Sequence, residues 1–476
     1  MKFCAKIILR RFLSVYFLLV LSAGCVSQGI SNWSTDGLIK AVGNRELADR
    51  QRLAVIEAVL DRSLDPNQQV KLGEEFSRVI ASPLHSPVIR RRVLEVIAGR
   101  YHDEAAAWLG AALLQTQEEQ LRRQIIDILV QLNDKRVLAD LVLALAQEQG
   151  GDGLSNELVG GAIERITGRP LAEVLEGQMA DGDNLQVRIA ALAALVKQAG
   201  FKKALEMVSK TAGEDETSQV LRFWSERFSY LPTNIARFMQ CRWRQGQSAP
   251  EQMAKLQGRV EMLQKREGYR FNIRDSFLVL TMDEKLLELN RGQLIRQIEE
   301  KLVGLDHTKR PASYRGAIDD YAEDFQGQKH TLDYCDLMRI NLLLSSFKRL
   351  QVQRQMGEFL RHDLEQIASE VGGLCFLGQD GIIFKEYQPG QSNNDNQYVE
   401  TLEMIQDSLD SVARWHCHTD RWRGRELAGP GADDMRYADW QDCPVVIITY
   451  IDNQKYNVDF LTPEGVVIDL GNYALQ

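Results

Sequence analysis

The hydrophobic pattern predicts a multidomain chain with all-α helical repeats in its N-terminal part and an α+β domain at its C-terminus. Three observations carry this expectation. Across residues 35–305, apolar residues recur three and four apart and prolines are very few, which is the period of amphipathic helices. Within that stretch, residues 88–97 and 120–129 share one apolar and basic pattern at an offset of 32. After Glu370 the texture changes to short apolar or alternating runs separated by turn residues, as in strands.

At the N-terminus, Lys2, Lys6, Arg10 and Arg11 precede an apolar run over residues 12–21. The run is too short to span a bilayer, so a cleaved signal peptide over residues 1–24 is expected. It ends in Leu21, Ser22, Ala23, Gly24 and Cys25, which resembles the lipobox of bacterial lipoproteins. Small residues let the processing peptidase approach the backbone, and the cysteine thiol receives the diacylglycerol. The alternative is an ordinary secretory signal with a chance cysteine. A lipidated Cys25 makes the membrane a partner, with residues 25–34 as a tether. Residue 26 is valine and not aspartate, which by the family pattern implies the outer membrane, facing the periplasm.

The 476 residues, 44% hydrophobic and 26% charged, suffice for two or three domains with cores of their own. The formal charge of -9 falls to about -13 once the four basic residues of the signal are removed. Nucleic acid and anionic lipid surfaces are therefore poor partners. Apart from Cys4 and Cys25, the cysteines are Cys241, Cys335, Cys375, Cys417 and Cys443, an odd and scattered set that makes no disulfide framework. No second apolar stretch is long enough to cross a membrane.

In the helical part, a looser copy of the repeated pattern begins at Val187 and Arg188. That segment looks like the second helix of a HEAT-type repeat, with its Val-Arg start and small-residue face. A helix pair cannot bury its apolar stripe alone, so stacked pairs make a solenoid, a surface suited to a protein partner. An irregular helical bundle with chance similarity is the alternative. Residues 251–267 are more charged and read as a solvated helix face. The polar stretch 306–331 reads as a linker, with helical character resuming over residues 332–367.

The C-terminal domain, residues 332–476, holds expected strands at 374–377, 382–384, 445–450, 456–461 and 466–470. Gln379, Asp380 and Gly381 form one hairpin turn, and Thr462, Pro463, Glu464 and Gly465 another. Helices are expected at 398–412 and 432–440. The informative residues are Glu370, His416, His418 and Asp434. Histidines two apart on an extended segment project from one face and can grip one ion. Asp434 lies in the first turn of a helix opened by Gly429, Pro430 and Gly431, where a charged carboxylate is favoured. Two histidines and an aspartate leave a fourth tetrahedral position for water, as catalytic zinc requires. Glu370, just before a strand, is placed to act as general base. Packing or capping histidines remain the alternative.

Taken together, these residues resemble the JAMM (MPN-plus) metallopeptidases, whose members include isopeptidases that remove ubiquitin-like tags. The segment 370–378 resembles the family's helix-to-strand passage, with the catalytic glutamate, here Glu370, at its head. His416 and His418 match its His-x-His, and Pro430 to Asp434 resembles its Pro-Ser-x-x-Asp. The resemblance covers residues 332–476 and implies zinc on His416, His418 and Asp434 with Glu370 as base. There are departures. Gly431 stands at the family serine, whose hydroxyl helps stabilise the oxyanion, and Thr419 replaces a proline. The Thr419 hydroxyl and a backbone N–H near Gly431 are the substitutes at hand.

The expected activity is zinc-dependent cleavage of a peptide or isopeptide bond in an envelope protein or a cell-wall stem peptide. The other reading is a non-catalytic scaffold or binding lipoprotein whose C-terminal domain is degenerate. Several further residues are set aside. Cys417 points to the face opposite the histidines, Asp433 is out of register for a ligand, and Glu386 is a second choice as base. His85, His102, His307, His330 and His362 read as packing or surface residues.

Overall fold

The computed structural model describes residues 30, 32–116, 118–147, 154–182, 184–210, 213–308, 324–365, 370–390, 399–419 and 429–476. The expected signal peptide, the lipobox and Cys25 lie outside the described residues. The chain forms two compact units, Met1–Met207 and Val208–Gln476. Among the described residues, no helix is long and apolar enough to cross a membrane.

The first unit is a double row of helices. Thr35–Val42, Pro66–Ala81, His102–Gln115 and Leu138–Gln147 pack in succession, each on the next. Asp49–Leu60 packs on Pro87–Arg100, and Glu119–Leu132 on Leu154–Thr167, in a second row. The segments matched by sequence at 88–97 and 120–129 both lie in this second row. The third copy differs, because Leu185–Ala199 packs on the first-row helix Leu138–Gln147 and Leu171–Asp181 takes the second-row place.

The basic residue of the repeated pattern, and Arg52 at the same helix position, have a structural use. Arg52, Arg122 and Arg188 each stand fourth in their helix and are buried. Each donates to a main-chain carbonyl at or near the end of the preceding helix: Val42 (2.8 Å), Thr116 (3.3 Å) and Met179 (2.8 Å). The last carbonyls of a helix have no partner within it, and a guanidinium there also suits the negative end of the dipole. Arg90, fourth in its own helix, instead pairs with Glu118 at 2.6 Å.

Arg52 also holds His85, with its Nη2 3.0 Å from the ring Nδ1. A guanidinium can only donate, so Nδ1 accepts and the imidazole is neutral. Burial first, then the charges of Arg52, Arg45 and Arg90, push His85 from its ordinary 6.5 down to about 4. The folded value lies below the unfolded one, so the stability tied to the neutral ring is complete above 6.5 and is lost as pH falls towards 4. Melting temperature is thus expected to fall across this window, and His85→Gln, which keeps an acceptor but cannot titrate, is expected to flatten the fall. Equal acid dependence in both proteins would contradict this role.

The second unit is built on one six-stranded sheet in the order β2-β1-β3-β4-β5-β6. The strands are β1 (Gly372–Gly378), β2 (Gly381–Tyr387), β3 (Ala413–His418), β4 (Val445–Asp452), β5 (Lys455–Leu461) and β6 (Val467–Ala474). All neighbours are antiparallel except β3 and β4, which are parallel and joined through the helix Ala432–Gln441. Both expected hairpin turns are present, joining β1 to β2 and β5 to β6. The helix expected over residues 398–412 is shorter, Leu402–Asp407, because Thr401 caps its start and residues 408–410 tighten into a 3₁₀ turn. Two helices, Tyr334–Phe347 and Leu350–Glu365, replace the single helical stretch read from the sequence.

The sheet is covered on both faces. Ala438 and Met435 pack on Val445, Ile447, Leu461 and Val467, so the crossover helix covers the face that His416 shares with Ile447. On the opposite face Phe359 stacks on Trp415 at 4.5 Å, and Phe347 packs on Phe384 and Tyr473. Gly373 is required there: a Cβ would lie 1.9 Å from the Lys385 carbonyl oxygen and 2.9 Å from the Trp415 indole nitrogen.

Four arginines bind the earlier helices of this unit to the elements around β3. Arg237 forks onto both carboxylate oxygens of Asp442 (2.8 and 2.7 Å), and Arg274 reaches Asp442 (3.1 Å) and Glu464 (2.8 Å). Arg244 holds Asp410 (2.9 Å) and the Leu409 carbonyl (2.8 Å), while Arg339 holds Asp275 (2.5 Å) and the Val412 carbonyl (2.8 Å). Residues 409–412 lead into β3, and Asp442 ends the crossover helix in a left-handed conformation, φ 48°. Both elements that carry the candidate ligands are therefore fixed at one end by buried charge.

Candidate metal centre

The site lies at the carboxyl end of β3, beside the crossover to a parallel neighbour. This is where side chains and loops of α/β folds leave a crevice for ligands. His416 and His418 stand two apart on the strand and so share a face. Their Nε2 atoms are 3.1 Å apart. Asp434, in the first turn of the crossover helix, places Oδ1 3.1 Å from Nε2 of His416 and Oδ2 3.6 Å from Nε2 of His418.

Glu370 reaches the same point from the segment just before β1. Gly372 pairs with His416, and the Cys417 N–H donates to the Val371 carbonyl (2.8 Å), which continues the pairing towards Glu370. Two residues back along that register, Glu370 falls opposite His418 and on its face. Glu370, His416 and His418 each offer a ligand atom within 4.8 Å of the others. Asp434 is not one of that trio, but it meets both imidazoles directly.

The supporting hydrogen bonds suit a metal centre. The Gly429 carbonyl lies 3.1 Å from Nδ1 of His418, so Nδ1 carries the proton and Nε2 presents its lone pair to the site. Gly429 N–H in turn donates to the Thr449 hydroxyl (2.9 Å), and its φ of 84° is a left-handed conformation that favours glycine. Gly429→Ala is expected to cost about 1–2 kcal/mol locally and to turn this carbonyl away from the ring. Zinc affinity should then fall about 10–100-fold, measured by competition with a chromophoric chelator. Unchanged affinity would show that this carbonyl does not orient His418.

The electrostatics pull in one direction. Burial opposes the charge on Asp434, but His416, His418 and the Gly431 N–H (2.6 Å) outweigh it and hold the carboxyl well below the usual range. Burial likewise disfavours a charged His416, yet Asp434, Glu370 and Asp363 hold it up at about 9. Three carboxylates around two imidazoles make a setting that attracts a cation. Imidazole nitrogens and a carboxylate oxygen are ligands that zinc accepts, so the donor set fits that metal.

The Thr419 hydroxyl and the Gly431 N–H both have partners within the site. Thr419 Oγ1 donates to Asp363, and the Gly431 N–H donates to Asp434. Gly431 itself has φ -83°, and an added Cβ would meet only Asp434 Oδ2, at 3.5 Å. Glu386, the second-choice base, pairs with Gly373, hence faces the side of Trp415, and bonds His362 at 2.8 Å. Cys417, on the opposite face of the strand from the two histidines, is buried.

Sequence reasoning missed Asp363 and Thr449, and it named Gly429 only as an opener of the crossover helix. Asp363 had one available signal: an acidic residue in the last turn of a helix opposes the dipole. No protein-family model, curated protein or solved structure matches the chain.

Proposed function

We propose that this protein is an envelope lipoprotein, held by lipid on Cys25, whose C-terminal domain is a zinc-dependent hydrolase of the JAMM kind acting on a peptide or isopeptide bond. The observation that carries the reading is the convergence of Glu370, His416, His418 and Asp434 from three separate elements. His416, His418 and Asp434 would hold the metal, with Glu370 left as the base. Bound zinc supplies Lewis acidity towards a substrate carbonyl and towards water. Glu370 accepts the proton of the attacking water and returns it to the leaving amine. The N-terminal helical rows offer a surface for a protein partner, and the substrate is an envelope protein or a cell-wall stem peptide.

A second reading is favoured by the engaged donors at Thr419 and Gly431: a zinc-stabilised binding domain without turnover. Losing one oxyanion donor typically costs about 10²–10³ in rate, so slow hydrolysis is the expectation of the first reading. Full-length protein incubated with envelope proteins and stem peptides separates the two. Cleavage that stops with a chelator and returns with zinc supports the hydrolase. Zinc retention with no cleavage favours the binding domain, and cleavage indifferent to chelation would overturn the metal mechanism.

A further inference from the structure

Asp363 is buried at the end of the helix Leu350–Glu365, one turn beyond Phe359, whose ring stacks on Trp415 of β3. One of its carboxylate oxygens accepts the Val371 N–H and the other accepts the Thr419 hydroxyl. Val371 directly follows Glu370, and Thr419 directly follows His418. A single carboxylate therefore ties together the chain beside the base and the chain beside a metal ligand.

The placement runs against ordinary helix chemistry. A carboxylate in the last turn faces the negative end of the dipole, and burial adds a desolvation cost. A residue kept where local preference opposes it is expected at a position set by another demand. The two hydrogen bonds identify that demand. The bond to the Val371 N–H fixes the plane of the peptide that joins Glu370 to Val371, and hence the direction in which the Glu370 side chain leaves the backbone. The bond to Thr419 fixes the residue just beyond β3, which ends at His418.

We propose that Asp363 is a positioning residue, which sets the spacing of Glu370 and His418 by holding Val371 with one oxygen and Thr419 with the other. This rests on the metallohydrolase reading of the same site. It gives Thr419, where the family has proline, a role in alignment, with Thr419 and Asp363 acting as a pair.

The test uses full-length protein loaded with Co²⁺, whose visible absorption reports ligand geometry, alongside hydrolysis with zinc. Asp363→Ala is expected to bind Co²⁺ with an altered spectrum and to lose about 10–100-fold in kcat with KM little changed. Asp363→Asn keeps an acceptor for the Val371 N–H and is expected to recover most of that loss. Thr419→Val, a milder change should Asp363→Ala not fold, is expected to shift the spectrum in the same sense, and Thr419→Ser to restore it. Wild-type spectra and rates in both Asp363→Ala and Thr419→Val would overturn the positioning role while leaving the metal site intact. A wild-type protein that binds neither Co²⁺ nor zinc would instead overturn the metallohydrolase reading, and the positioning role with it.

Discussion

Glu370→Gln is expected to keep its zinc and to lose turnover by about 10²–10⁴-fold, the usual contribution of a general base. Glutamine has the shape of glutamate and can still accept a hydrogen bond, but it cannot take a proton from water. The site geometry makes the experiment discriminating, because Glu370 lies within 4.8 Å of both imidazoles and is a possible ligand in its own right. Asp434 competes for that role, with oxygens 3.1 and 3.6 Å from the two Nε2 atoms and a backbone N–H that secures its charged form. If Asp434 is the third ligand, Glu370→Gln separates zinc content from rate. Parallel loss of zinc and rate would make Glu370 a ligand and remove it as the base.

The second large effect is on stability. Asp442→Asn should destabilise the second unit by about 3–5 kcal/mol, since removing one partner of a buried ion pair strands the charge of Arg237. Asp442 accepts a two-pronged bond from Arg237 and a further bond from Arg274, and it is itself only 1% exposed. Asparagine tolerates the left-handed backbone at this position, so the change tests charge with little backbone strain. For a unit of this size the loss corresponds to a fall in melting temperature of roughly 6–20 °C. Arg91→Ala, which breaks an exposed pair with Glu95 on one helix, should cost no more than about 1 kcal/mol. Similar shifts in the two variants would mean that the arginine contacts do not hold the unit together.

These examples show which parts of the architecture the sequence discloses. His416 and His418 were legible because a spacing of two is itself a geometric statement on a strand. Both hairpins were legible because their turn residues are chemically restricted. The repeat pattern disclosed Arg90, Arg122 and Arg188 as matching positions, although not the carbonyls that Arg122 and Arg188 bind. Arg237, Arg244 and Arg274 were not legible. On an amphipathic helix a charged residue reads as solvated, and only the fold brings them to Asp442, Asp410 and Glu464, more than a hundred residues away. The same holds for Asp363, whose partners lie on other elements, and for Gly429, one glycine among turn residues until its carbonyl is seen against His418. The helix expected at 398–412 ended early for a local reason: Ser408 and Asp410 favour turns over helix interior.

The metal content of the protein tests the central claim most directly. Elemental analysis of full-length protein, purified without added metal, should find about one zinc per chain in the wild type and in Glu370→Gln. His416→Ala and Asp434→Ala should retain little. Equal zinc in all four proteins, or none in the wild type, would contradict a metal centre on His416, His418 and Asp434.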